Sequence, residues 1–122
     1  MILKKVLAWL CVVPAHLPTG AHAQPAASFE ASCSELRVAL TRLGASNDDY
    51  VVISVAGKLR GAEHDGALGY MLMCDAPDPQ IVCITYEIND YKAGDSVILS
   101  GTLNQVDEDH IALDPCLHDP HE

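Results

Sequence analysis

The chain has 122 residues, with 17 Asp and Glu against 7 Lys and Arg, which gives a net charge of −10 with histidine neutral. This length predicts one domain. Such an acidic composition argues against the basic patch with which proteins usually bind phosphate backbones, so it predicts no nucleic-acid binding and no attraction to an acidic membrane surface.

Residues 1–23 have the order of segments that is typical of a secretory signal peptide. Lys4 and Lys5 give a positive start, Val6 to Val13 form an apolar run, and Ala21-His22-Ala23 is a small-residue cleavage site. The apolar run is shorter than the roughly 20 residues that span a bilayer, so no membrane anchor is expected. We therefore predict a periplasmic or secreted protein that begins at Gln24 and, without the two lysines, has a net charge of −12.

Cleavage would also remove Cys11, which follows Leu10 and not the small residue expected before a lipid-modified cysteine. An even number of cysteines then remains, and in a small exported domain this predicts two disulfides. None of these cysteines is paired at the short spacing of zinc fingers and ribbons, so disulfides are favoured over zinc. The four are Cys33, Cys74, Cys83 and Cys116.

A short lead over residues 24–33 precedes a predicted helix from Ser34 to Leu43. Ser32 and Glu35 have the spacing of a capping box, in which the side chains satisfy free amides at a helix start. Apolar residues then recur at i, i+3, i+4 and i+7, which predicts one buried stripe. The stripe consists of Leu36, Ala39, Leu40 and Leu43.

The rest of the chain predicts five strands separated by turns. Alternation in the first and fourth strands places Val51, Ile53, Val55, Leu59, Val97, Leu99 and Leu103 inward. Turn signals occur at Asp65-Gly66, residues 76–79, 89–94 and 107–109, and Pro115-Cys116 should end the last strand. The predicted strands are Tyr50 to Arg60, Leu68 to Cys74, Gln80 to Tyr86, Asp95 to Asn104 and His110 to Leu113, followed by a His/Asp-rich tail over residues 118–122.

Gly57 and Gly101 each interrupt a regular strand, which predicts sharp bends or bulges there. Closing the sheet into a small barrel would remove the exposed edges that an open sheet keeps. The sequence thus predicts an all-β domain with one N-terminal helix.

Four stretches resemble a known family: Val55-Ala56-Gly57-Lys58-Leu59, Ile81-Val82-Cys83-Ile84, Ala93 to Gly101 and Ile111 to Cys116. They are similar to the anticodon-binding-like OB-fold family of small exported bacterial proteins, and the resemblance covers about Ser34 to Leu117. It implies a five-stranded Greek-key OB-fold barrel and no particular activity.

OB barrels usually bind across their second and third strands, between the loop that joins strands one and two and the loop that joins strands four and five. If the resemblance holds, both loops crowd one end of the barrel, where like charges raise each other's pKa and attract cations. The expected ligand-binding residues are Glu63, His64, Asp65, Asp107, Glu108, Asp109 and His110 on the loops, with Tyr70 and Tyr86 on the strands. These charged residues are more often ordinary solvated turns, and the tail residues His118, Asp119 and His121 form a weaker candidate metal site.

The barrel also bears on the disulfide pairing, for which four cysteines allow three arrangements. If the second and third strands pair about Asp78-Pro79, Cys74 lies opposite Cys83, which favours Cys74–Cys83 with Cys33–Cys116. The rival pairing is Cys83–Cys116, since the third and fifth strands are neighbours in an OB barrel.

No catalytic constellation is present: the chain has no Gly-flanked serine elbow and no Gly-rich phosphate loop. We predict an exported binding module, without catalysis or cofactor, for another exported protein or a small cationic ligand. The alternative is a periplasmic divalent-metal-binding or stress-related protein.

Overall fold

The computed structural model describes residues 29–43 and 50–121. The predicted signal peptide and the first half of the predicted lead, residues 24–28, lie outside these residues. The elements, in chain order, are β1 (Phe29–Ser32), α1 (Cys33–Leu43), β2 (Val52–His64), β3 (Gly69–Met73), β4 (Gln80–Thr85), β5 (Ser96–Asp107) and β6 (His110–Pro120).

Strands β2 to β6 form a closed five-stranded barrel. Their order is β2-β3-β4-β6-β5, and β5 pairs back onto β2. All neighbours are antiparallel except β4 and β6, which run parallel. This is the strand order of an OB fold, so the predicted fold class is confirmed.

Strict alternation fills the barrel interior. The β2 residues Ile53, Val55 and Leu59 are buried as predicted, as are Val97, Leu99 and Leu103 on β5. Burying one such aliphatic side chain contributes roughly 1.5–3 kcal/mol relative to leaving it in water. From the other strands the core takes Met71, Met73, Ile81, Cys83, Ile111 and Leu113.

The helix forms where the capping residues predict it. The Ser32 amide donates to Glu35 Oε1 at 3.0 Å and the Ser32 hydroxyl donates to the same oxygen at 2.7 Å. These two hydrogen bonds lower the pKa of the Glu35 carboxyl. Leu36 is fully buried, and Leu40 and Leu43 pack against the core, so the predicted apolar stripe is confirmed.

The strands depart from their predicted bounds at several points. β2 and β5 continue past Arg60 and Asn104 to His64 and Asp107. Residues 29–32 were expected in the lead, but they form β1, which pairs in parallel with β2. The last strand does not end at Pro115 but continues to Pro120, so His118 pairs with Leu99 and does not belong to a tail. Asp114 and Pro115 oppose one residue of β5 in a bulge, where a proline without an N–H is tolerated.

The bulge begins at Gly101, where a bend was predicted, because the register shifts between Gly101 and Leu103. Gly57 instead sits in regular register opposite Val97. The irregularity of β2 falls between Leu59 and Gly61.

The disulfides are Cys33–Cys74 and Cys83–Cys116. The favoured pairing of Cys74 with Cys83 is therefore wrong, and the rival Cys83–Cys116 is correct. The cause is the β3–β4 register, which places Cys83 opposite Met71 and leaves Cys74 just beyond the end of β3, where it reaches the start of α1. Two disulfides fit an extracellular or periplasmic protein. Within the described ranges, no helix has the length and apolar character needed to cross a membrane.

Candidate functional site

The two acidic loops lie at opposite ends of β4, so the expectation that they crowd one end is wrong. The β2–β3 turn leads into Gly69, which pairs with Thr85 at one end of β4, whereas His110, after the β5–β6 turn, pairs with Gln80 at the other. At about 3.3 Å per residue, these ends are roughly 17 Å apart. The reason is that β6 runs parallel to β4, which places the turn before β6 beside the start of β4.

The Asp65 carboxylate, between β2 and β3, accepts hydrogen bonds from neighbouring residues. Asp65 Oδ1 accepts the amides of Ala67 and Leu68, each at 2.8 Å, and the Tyr70 hydroxyl donates to Oδ2 at 3.1 Å. Hydrogen bonds from the Leu68 and Ala67 amides lower the pKa of Asp65, and the bond to Asp65 raises the pKa of Tyr70. This end is therefore a tightly bonded turn.

Three further candidates surround the same turn. His64 Nδ1 accepts the Gly66 amide at 3.0 Å, so Nε2 carries the proton and donates to the Tyr86 carbonyl at 2.8 Å. The Tyr86 side chain is 76% exposed and Glu63 is exposed on β2. The histidine thus links β2 to the end of β4.

At the opposite end, hydrogen bonding overrides the repulsion that was expected among the carboxylates. Asp107 Oδ1 accepts His110 Nδ1–H and the Asp109 amide, both at 2.8 Å. These bonds, that of His110 first, lower the pKa of Asp107, where repulsion would have raised it.

Arg37 connects the same turn to the helix. Its guanidinium lies 2.9 Å from the Asp109 carboxylate and donates to the carbonyls of Pro77 at 2.8 Å and Glu108 at 3.2 Å. The β5–β6 turn and the β3–β4 loop are therefore held side by side.

A pH titration checks the shift of Asp107. Because its pKa is lower in the folded state, Asp107 contributes stability that is present above the unfolded carboxyl value and is lost as the pH falls through the folded value. We expect the carboxyl carbon signal of Asp107 to titrate in NMR below the usual Asp range, and the matching acid step at the Asp109 amide to vanish in Asp107→Asn. A step at or above the usual range would contradict the hydrogen-bonded turn.

Neither acidic loop forms a metal centre in the described structure. Across residues 29–43 and 50–121, no three His, Cys, Asp or Glu side chains are grouped so that they could hold a metal ion. His118, a weaker candidate, donates from Nε2 to the Glu87 carbonyl at 2.6 Å and stacks edge-on against Tyr91. It anchors the β4–β5 loop.

A shallow groove lies on the outer side of β3 and β4, the surface that OB barrels usually use for ligands. Leu72 faces Val82 across these strands, and Val106, which is 69% exposed, stands beside them. Arg60 donates to Asp75 at 3.3 Å and to Gln80 at 3.5 Å. The space measures about 130 Å³, and its lining is Arg60, Leu72, Gln80, Ile81, Val82, Val106, His110 and Ile111.

Of the predicted site residues, only His110 lines this groove, and Asp107 orients it. Sequence reasoning missed Leu72 and Val82, although a signal was present. Each stands between inward-facing residues of a strand, so it must point outward, and an apolar residue that points outward marks a candidate contact surface.

A second cavity, of about 230 Å³, opens on the other side of the barrel. It lies over β2, β5 and β6, and its lining is Tyr50, Val52, Ser100, Gly101, Thr102, Pro115 and Leu117. No candidate residue from the sequence falls in it.

Comparison with known proteins identifies no family for this chain. No family model matches the sequence, and no curated protein matches it. Among solved structures the chain is similar to the S. pombe Stn1-ten1 complex, with 10% identity and a TM-score of 0.40. The match covers 55% of this chain and 57% of that one, less than two thirds of its length. The strand order and the two disulfides define the class of protein, a disulfide-bonded OB barrel.

This match contradicts the prediction that nucleic acid is not a partner, and that prediction no longer stands. It rested on net charge, which describes the whole chain, whereas a partner meets a single face. The groove face carries Arg60 among apolar side chains. The likeness is too distant to name a partner for this chain.

Proposed function

We propose that this chain is an exported, non-enzymatic binding module that takes a protein partner across the outer side of β3 and β4. One observation carries the proposal: Leu72, Val82 and Val106 form an open apolar groove on the surface where OB barrels usually bind. A binding surface needs such an apolar centre with polar groups around it. The signal-peptide pattern and the two disulfides support export.

The titratable residues of the turns support binding over catalysis. Asp65 and Asp107 have lowered pKa values, which keep both carboxylates ionised. A general acid or base works best when its pKa lies near the working pH, and these shifts move away from it. The carboxylates therefore stabilise turns.

A protein partner is also favoured over a small cationic ligand held between the two acidic loops. Such a ligand would have to contact Asp65 and Asp107 together, and these lie at opposite ends of β4. The groove, by contrast, is continuous across neighbouring strands.

Selection from a displayed library of random peptides tests this function. Peptides enriched on the purified domain should bind at least about tenfold more weakly to Val106→Asp, since burying a charge in an apolar contact costs well over ~1.4 kcal/mol. The matched control is Val38→Asp, at a 55% exposed position on α1 away from the groove, which should bind like the parent.

If no peptide is enriched, or if every enriched peptide binds Val106→Asp as tightly as the parent, the proposed binding face is wrong. Circular dichroism of both variants checks that the barrel remains folded.

A further inference from the structure

We infer that the groove takes an extended basic peptide segment, with one apolar side chain between Leu72, Val82 and Val106 and a Lys or Arg beside it that reaches the carboxylates at the rim. This inference rests on the proposed function and names the chemistry of the partner. It follows from the size of the groove, the charge around one end of it and the strand pairing beneath it.

The size of the groove suits one side chain of a larger partner. Its volume of about 130 Å³ is below the roughly 300–1,000 Å³ of typical small-molecule pockets. Its base is apolar because Leu72 and Val82 are paired outward-facing residues, and Val106 adds an exposed apolar wall. An aliphatic or aromatic side chain would bury these surfaces together with its own.

Two acidic loops, the β3–β4 loop and the β5–β6 turn, adjoin Gln80 at one end of the groove, and we refer to them as its rim. The Gln80 amide donates to the Asp109 carbonyl at 2.8 Å, which holds the β5–β6 turn against the β3–β4 loop. Two arginines lie among these carboxylates, Arg37 at 2.9 Å from Asp109 and Arg60 at 3.3 Å from Asp75. The carboxylates, which outnumber the two arginines, are Asp75, Asp78, Asp107, Glu108 and Asp109.

This excess of negative charge selects a cationic partner. A Lys or Arg next to the inserted side chain would neutralise these carboxylates. The charge around the groove therefore favours a basic peptide over a neutral or acidic one.

The strand pairing determines how the peptide is held. β3 already pairs with β2 and β4, and β4 pairs with β3 and β6, so neither offers a free edge to which a peptide strand could be added. Recognition must come from side chains: the apolar contact supplies affinity and the rim supplies charge selectivity.

Fluorescence anisotropy with four synthetic probes tests the inference. The probes, each about ten units long, are a Lys-containing peptide with a central Leu, the same peptide with Gln for Lys, the same peptide with Ser for the central Leu, and a single-stranded DNA oligonucleotide. We expect the first peptide to bind at least tenfold more tightly than each of the other two peptides, and its affinity to fall as salt is raised.

Variants then locate the charge effect. Asp78→Asn combined with Glu108→Gln should weaken the basic peptide severalfold, and Val106→Asp should weaken its apolar contact even though it adds a negative charge. The control is Glu30→Gln, which removes one exposed carboxylate on β1, a strand that does not line the groove, and should leave the affinity within twofold.

Three other results would each contradict the inference. If the Gln peptide binds as tightly as the Lys peptide and both lose affinity with Val106→Asp, the binding face stands but its charge selectivity is wrong. If the oligonucleotide binds most tightly, the partner class is wrong. If the basic peptide does not bind, or binds the parent and Val106→Asp equally, it does not occupy the groove, and the library selection then decides whether the groove binds any peptide.

Discussion

Replacing Gly101 by alanine is expected to destabilise the domain by about 1–3 kcal/mol, the usual cost of overpacking a core. A Cβ atom at this position would lie 2.4 Å from the Pro115 carbonyl oxygen and 3.0 Å from Cys116 Cα. Both are backbone atoms, so no side-chain rotation relieves the clash and β5 must move away from β6. Urea unfolding of parent and variant measures the difference as a fall in the midpoint.

Gly61→Ala is the matched control, because a Cβ there would meet only Leu72 Cδ1, at 4.0 Å. An alanine fits at that distance and also reduces the freedom of the unfolded chain, so the midpoint should hold or rise slightly. Equal midpoints for Gly101→Ala and Gly61→Ala would mean that the bulge between β5 and β6 accommodates a methyl group.

Gly101 also shows how far the sequence could predict this fold. A glycine inside an alternating strand predicted a bend, and the bend is there. Pro115, which lies against Gly101, predicts the end of the last strand, because a proline has no N–H to donate to a neighbouring strand. Only the register of β5 against β6 shows that the bulge absorbs this proline and lets the strand continue to Pro120.

The candidate site was harder to predict, because it depends on which strand ends meet. The sequence marked Asp65 and Asp107 as turn residues; Asp65 lies between β2 and β3, whereas Asp107 is the last residue of β5 and borders its turn. Whether two turns share an end is decided by the parallel pairing of β4 with β6, which joins residues about 30 positions apart and leaves no local pattern. Val106 was missed for a simpler reason: the strand was predicted to stop at Asn104, whereas β5 continues to Asp107.

The disulfides should make the largest single contribution to stability. Removing Cys83–Cys116 with a pair of alanines is expected to cost about 4 kcal/mol, since this bond closes a separation of 33 residues and so limits the unfolded chain. That is a large share of the ~5–15 kcal/mol by which domains are stable. With a urea dependence of about 1–3 kcal/mol per molar, the midpoint should fall by roughly 1–4 M.

Cys33→Ala with Cys74→Ala is the matched comparison. Its separation of 41 residues gives nearly the same entropy, about 4 kcal/mol, so chain entropy alone predicts equal midpoints for the two double variants. The positions of the two disulfides, however, predict that their removal loosens different parts of the structure. Cys83 and Cys116 are both buried inside the barrel, whereas Cys33 starts α1 and ties it to the residue after β3. Hydrogen exchange should therefore speed up across β4 and β6 in the first variant and chiefly in α1 in the second.

Peptide mapping of the oxidised parent, without reduction, should recover Cys33 linked to Cys74 and Cys83 linked to Cys116. A Cys74–Cys83 peptide would contradict the β3–β4 register, because that register separates the two residues. An unchanged midpoint in the Cys83 and Cys116 variant would mean that the unfolded chain is already compact around these residues, so that the bond removes little of its freedom.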